Sequence, residues 1–128
     1  MIKTLKPPLG ARLNKQHPLA KDLAGAWLLN EGGGSLALDS AGDKNGTFQN
    51  NAAWKIGSKG LGATFPTDNG SDRITLGSIT SADRISGYGS QEITVVAAVY
   101  LERTPNNSYP RIFDKSSAGS GAGGWAIN

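Results

Sequence analysis

Apolar and polar positions along this chain come in short bursts, and no burst keeps a helical period for more than a turn or two. The clearest burst is residues 93–101, where Ile93, Val95, Ala97, Val99 and Leu101 are all apolar and Thr94, Val96, Ala98 and Tyr100 are mixed. That β-branched alternation predicts a central strand with its odd-numbered side chains turned into a core. Residues 72–76 alternate as a half-buried strand does, and residues 61–65 form another candidate closed by Pro66. Shorter candidates cover 47–49, 53–55, 111–115 and 125–128, and residues 25–30 read as a strand that stops at the turn of Gly32, Gly33 and Gly34. Between them lie loops rich in Gly, Asn, Asp and Ser. Asn45-Gly46 predicts a tight turn because both residues tolerate positive φ, and Asp68-Asn69-Gly70-Ser71 predicts a second. Many short strands with turn signals and no sustained helix predict an all-β fold, a sandwich or a barrel.

The front of the chain differs. Pro7, Pro8 and Gly10 rule out regular helix, so residues 1–22 read as an extended arm, with one short helical turn opened by Pro18. Lys3, Lys6, Arg12, Lys15 and Lys21 face only Asp22, which makes the arm basic. Such an arm can touch nucleic acid or an acidic surface. The simpler expectation is a solvated leader with no specific nucleic-acid partner. Residues 23–128 carry the strand candidates.

Composition narrows the class further. The 128 residues are one domain's worth of sequence, 38% of them hydrophobic, and 18 are glycine. Cysteine is absent, so neither a disulfide framework nor a thiolate metal site is expected. No apolar segment precedes Pro7-Pro8 as a secretory signal requires. The run at 93–101 falls far short of the ~20 residues that span a bilayer, so no membrane span is expected. Export would need another route, such as release with a phage particle, leaving localisation open between virion and extracellular space.

Little catalytic chemistry is visible. Gly119, Gly121 and Gly124 satisfy a G-x-G-x-x-G spacing, but Trp125-Ala126-Ile127 reads as strand where a phosphate-binding helix should begin. Glu31, Glu92, Glu102 and Asp114 are isolated acids, so no pair stands ready for glycoside hydrolysis. His17 lies beside a proline in the arm and has no nucleophile to activate. The expectation is a non-enzyme. Asp39, Asp43 and Asn45 offer oxygen ligands for a structural Ca2+ ion, although an EF-hand loop fails at Ala41 and Ala52. Asp68 and Asp72 form a second cluster, and the competing reading of both is that Asp and Asn are turn residues. Among the aromatics, Trp27 and Trp125 lie in apolar strand patterns that suit a core. Tyr88, flanked by Gly87 and Gly89, together with Trp54 and Tyr100, are the candidate ligand contacts. The sequons at Asn45, Asn69 and Asn106 follow from turn composition.

Taken in order, several segments resemble the laminin-G-like branch of the concanavalin A-like lectin and glucanase superfamily, as found in bacterial and phage proteins. The stretch Leu23-Ala24-Gly25-Ala26-Trp27-Leu28-Leu29-Asn30-Glu31-Gly32-Gly33-Gly34 is similar to the family's opening strand and turn. Residues 39–48 are similar to its Asp/Gly/Asn loop, Gly60-Leu61-Gly62-Ala63-Thr64-Phe65 to its "G-x-A-L-x-F" strand, and residues 93–99 to its "F-T-V-S-A-W-V" strand. Residues 111–115 and 124–127 complete the run. Ala98 stands where many relatives carry tryptophan, and Phe65-Pro66-Thr67-Asp68 replaces "F-D-G-x-D". The resemblance implies an antiparallel β-sandwich of jelly-roll type that is incomplete at the C-terminus, residues 23–128 being its N-terminal portion. It further implies a truncated product, or a piece whose sandwich is completed by missing strands or by another chain, since uncovered edges and faces are liabilities. Three functions fit that expectation: a non-catalytic module binding carbohydrate or a protein surface, a structural or adhesive virion component with virion protein partners, and a fragment of a glycoside hydrolase whose catalytic residues lie beyond residue 128.

Overall fold

The computed structural model describes residues 6–8, 10–21, 23–57, 60–67, 71–76, 94–100, 112–115 and 125–127. Seven strands and one 3-10 turn account for their regular structure, so the fold is all-β and its pairings are antiparallel. The chain forms two compact units: Met1–Thr67 with Ser71–Ser78, and Asp68–Gly70 with Ile79–Asn128. Among the described residues no helix is long and apolar enough to cross a membrane.

In the first unit, β1 (Leu36–Ala37), β2 (Gly46–Gln49) and β5 (Arg73–Thr75) form a three-stranded sheet in the order β1-β2-β5. Ala37 lies opposite Gly46, and Phe48 opposite Ile74. Because strand side chains alternate between faces, Ala37, Gly46, Phe48 and Ile74 share one face. Thr47, Gln49, Arg73 and Thr75 share the other, with Arg73 and Thr75 exposed. The half-buried alternation expected of residues 72–76 is therefore observed. A second pairing, β3 (Ala53–Gly57) with β4 (Gly60–Thr64), places Trp54 opposite Ala63 and Ile56 opposite Leu61. The hairpin meets the sheet's inner face at Phe48 and Trp54, whose ring centroids are 4.6 Å apart at a 42° tilt. The chain passes from β2 to β3 through Asn50, held left-handed at φ 58, a conformation its short polar side chain tolerates better than most.

Gly46 serves a different purpose from the one its sequence neighbours suggest. It is buried inside β2 rather than in a turn of positive φ. A Cβ there would stand 2.5 Å from an Ile74 methyl and 2.9 Å from a Leu76 methyl, so only the missing side chain lets β2 and β5 close together. Positive φ occurs instead at Gly32 (74°) and Gly34 (73°), where the glycine turn was expected.

Two strand expectations are corrected. Residues 25–30 form no strand; Trp27 and Asp39 share one isolated antiparallel bridge. The Ala26 N–H goes to the Asp39 carboxylate instead of a ladder carbonyl, and Leu29 turns left-handed at φ 53, which breaks the extension. The second correction is larger. Residues 94–100, the described part of the expected central strand, carry no regular structure. Val95 is half-buried, but Ala97 is exposed and Val99 is 54% exposed, while Val96 reaches 91%. Of the described odd positions, Ala97 and Val99 do not face inward, and Ile93 and Leu101 lie outside the described residues. β-branched residues fit a pleated, half-buried surface without creating one, and among the described residues no strand pairs with this segment.

In the second unit the described strands are β6 (Phe113–Lys115) and β7 (Trp125–Ile127), paired with Phe113 opposite Ile127 and Lys115 opposite Trp125. Both fall where strands were expected. Across the described residues Ala37 is fully buried (0%), and no large side chain reaches full burial. Hydrogen bonds from loops to side chains therefore carry much of the first unit's order.

Candidate functional site

Asp39 is the buried polar residue among the described ones, at 8% exposure, and its side chain accepts three backbone N–H groups. Its Oδ1 accepts from the Ala26 and Ala41 N–H groups, both at 2.9 Å, and its Oδ2 from the Lys44 N–H at 3.3 Å. The Asp39 N–H donates in turn to Asn45 Oδ1 at 3.0 Å, and the Trp27 indole N–H donates to the Lys44 carbonyl at 2.8 Å. A buried carboxylate is stable only when such donors replace its lost hydration. The loop 39–45 is thus folded around one carboxylate, and Trp27, expected in a core, is its half-buried lid.

Asp72 does the same for the turn after β2. Its Oδ1 accepts from the Asn51 N–H at 3.0 Å and its Oδ2 from the Thr67 N–H at 2.8 Å, while Asn50 Nδ2 donates to the Ser71 carbonyl at 2.6 Å. Hydrogen bonding first from the Thr67 side chain, against some desolvation, and then from the Thr67 and Asn51 backbones holds the Asp72 carboxyl below the usual aspartate range. Its expected companion Asp68 lies outside the described residues.

These placements bear on the calcium expectation. Asp39 and Asn45 come together, but their oxygens point at backbone N–H groups, and Asp43 is exposed. A Ca2+ ion needs six to eight oxygen ligands turned toward one point. Among the described residues no three His, Cys, Asp or Glu side chains are grouped closely enough to hold a metal. The donor set at Asp39 matches a loop clip better than an ion cage.

Of the three aromatic candidates, Tyr88 lies outside the described residues. Tyr100 is 66% exposed on the irregular segment 94–100 of the second unit. Trp54 is half-buried on β3, with its ring against Phe48 and its indole N–H donating to the Gly34 carbonyl at 2.9 Å. The glycine turn therefore docks on Trp54, and Gly32 docks on Leu61, whose methyl would lie 2.9 Å from a Cβ at Gly32. Beside that turn is an open depression of about 400 Å³ lined by Glu31, Gly33, Gly34, Ser35, Leu36 and Leu38. Glu31 Oε1 accepts the Leu38 N–H at 2.8 Å, and Oε2 is buried without a partner.

Residues 6–8, read from sequence as part of a solvated leader, are fastened to this region. Lys6 Nζ donates to the Leu61 carbonyl at 2.6 Å and the Leu29 carbonyl at 3.0 Å, and Asn30 Nδ2 donates to the Pro7 carbonyl at 2.6 Å. Burial of the ammonium pushes the Lys6 pKa below the usual lysine range, with the nearby Glu31 charge acting the other way. The sequence marked Lys6 only as one of the arm's basic residues and Asn30 only within the 23–34 stretch, because their partners are backbone carbonyls that only the tertiary fold presents. Farther on, His17 Nδ1 caps the Pro18–Ala20 turn by accepting the Leu19 N–H at 3.2 Å, an ordinary structural role.

Comparison of the chain with protein-family models, with curated proteins and with solved structures yields no match.

Proposed function

We propose that this chain is a non-catalytic binding module of laminin-G-like sandwich type that takes carbohydrate at the Trp54 end of its first unit. The observation that carries this reading is the setting of Trp54. Its ring is propped on Phe48 and its indole N–H is tied to the carbonyl of Gly34, a residue that also lines the open depression with Gly33 and Ser35. Sugars are recognised by an aromatic face for their C–H surface and by hydrogen-bonding groups for their hydroxyls. A propped, half-exposed indole next to such groups offers both. The sandwich reading draws support from the chain's switch of sheets at residues 50–52 and from the Phe48–Trp54 ring contact between the two pairings. On this reading Asp39 and Asp72 are loop clips, and no calcium is required to shape the site.

The test is a glycan array probed with the full chain, followed by titration of the best ligand against Trp54→Ala. Binding should weaken about tenfold on loss of the ring, the scale of one aromatic contact. An array with no binder, or a folded Trp54→Ala protein that binds as the wild type does, overturns the proposal.

A further inference from the structure

We propose that the first unit holds a recognition cradle for an extended Lys-Pro segment, and that this chain fills the cradle with its own residues 6–8. The cradle reads that segment at two points. The Leu61 and Leu29 carbonyls receive the Lys6 ammonium at 2.6 and 3.0 Å, and Asn30 Nδ2 grips the Pro7 carbonyl at 2.6 Å. These bonds cross 55, 23 and 23 residues of sequence, so they belong to the folded unit and not to the arm.

Three further features mark it as a site. Glu31 lies near enough for its charge to act on Lys6, and its Oε2 is buried without a hydrogen-bond partner, so the Lys6 ammonium balances a carboxylate that hydrogen bonds satisfy only in part. Leu29 is left-handed at φ 53, a conformation costly for a residue with a Cβ, at the position whose carbonyl meets the ammonium. In the segment beyond, the hydrogen bonds among the described residues are local: Ala11 N–H bonds to the Pro8 carbonyl, His17 to Asn14, Ala20 to His17 and Lys21 to Pro18. Leu19 in that stretch is 85% exposed.

Residues 6–8 are therefore held by what they dock against, through a connector whose described hydrogen bonds are all local. Pro7 and Pro8 keep the segment extended before it docks, which lowers the entropy lost on binding. The ligand class follows from the contacts: a primary ammonium on an extended chain, followed by a proline carbonyl. When the chain's own arm is lifted, the same cradle accepts that chemistry from another segment.

Full-length Lys6→Ala empties the ammonium position while keeping Pro7 and Pro8. Its melting midpoint, followed by tryptophan fluorescence, should fall below wild type. Propylammonium, which replaces the deleted side-chain atoms, should recover it, while tetramethylammonium, with no N–H to donate, should not. A labelled peptide of residues 1–9 should bind Lys6→Ala at least about tenfold more tightly than wild type, whose cradle is occupied, as expected for charge-assisted bonds. Equal recovery by both cations, an unchanged midpoint, or equal peptide binding overturns the proposal. Should Lys6→Ala fail to fold, Asn30→Ala leaves the ammonium in place and tests the second contact. Exchange of the Ala11 amide, bonded to Pro8, should then accelerate on the order of tenfold; unchanged exchange overturns the cradle.

Discussion

Replacing Asp39 with alanine takes away the acceptor of three backbone N–H groups at once and leaves the loop 39–45 without its centre. The contacts to Ala26 and Ala41 are short, 2.9 Å each, while that to Lys44 is long at 3.3 Å. A hydrogen bond to a charged group contributes about 1.5–3 kcal/mol. Taking the lower figure for each of the two short bonds, because the N–H groups can recruit some water, and nothing for the long one, the loss comes to about 3 kcal/mol. That is about a 150-fold fall in the folded-to-unfolded ratio, against a total stability of about 5–15 kcal/mol for a typical domain. Urea unfolding followed through Trp27, whose indole is tied to the same loop at Lys44, should show the midpoint falling by about 1–3 M. Asp39→Asn should be intermediate, since its amide keeps one acceptor oxygen but turns a donor toward the Lys44 N–H. An Asp39→Ala midpoint within about 0.5 kcal/mol of wild type, the range of ordinary surface changes, would refute the view that one carboxylate organises this loop. The same titration addresses the metal. Millimolar calcium should leave the wild-type midpoint unmoved, and a calcium-dependent rise that Asp39→Asn removes would return Asp39, Asp43 and Asn45 to the role of ligands.

Gly46→Ala should cost about 1–3 kcal/mol through overpacking, because its Cβ would meet Ile74 at 2.5 Å and Leu76 at 2.9 Å. Gly33→Ala, with nothing within 4 Å, should leave the thermal midpoint nearly unchanged, and equal effects of the two would contradict the packing described for β2 and β5. Asp72 should titrate below the ordinary aspartate value. With the folded pKa depressed, the unfolded state binds more protons, so the stability it contributes is present above the unfolded pKa and is lost as pH falls through the folded one. Carboxyl chemical shifts followed against pH check this, and a midpoint at or above the ordinary value would be inconsistent with the bonds from Thr67 and Asn51.

Read alone, the residues already dictated a strand-rich chain and the place of most strands. β2, β3, β4, β5, β6 and β7 all fall on or within a residue or two of their expected positions, because alternation and turn residues are local properties that survive in any β fold. The Pro18 turn and the glycine turn at 32–34 were legible for the same reason. What the pattern could not supply was partnership. Residues 93–101 have the strongest strand signature in the chain, yet their described part has no ladder, since a strand exists only where a neighbour returns its hydrogen bonds. Likewise Gly46 looked like a turn residue until the approach of Ile74 and Leu76 showed that the missing Cβ was the point. Asp39 was legible as a polar turn residue, but the N–H groups of Ala26 and Ala41 that its carboxylate accepts were supplied only by the fold. Lys6 was marked only as one basic residue of the arm, because two carbonyls 23 and 55 residues away become a cradle only after the chain has folded around them. Local preference set the elements, and the long-range pairing of backbone groups decided which side chains have work to do.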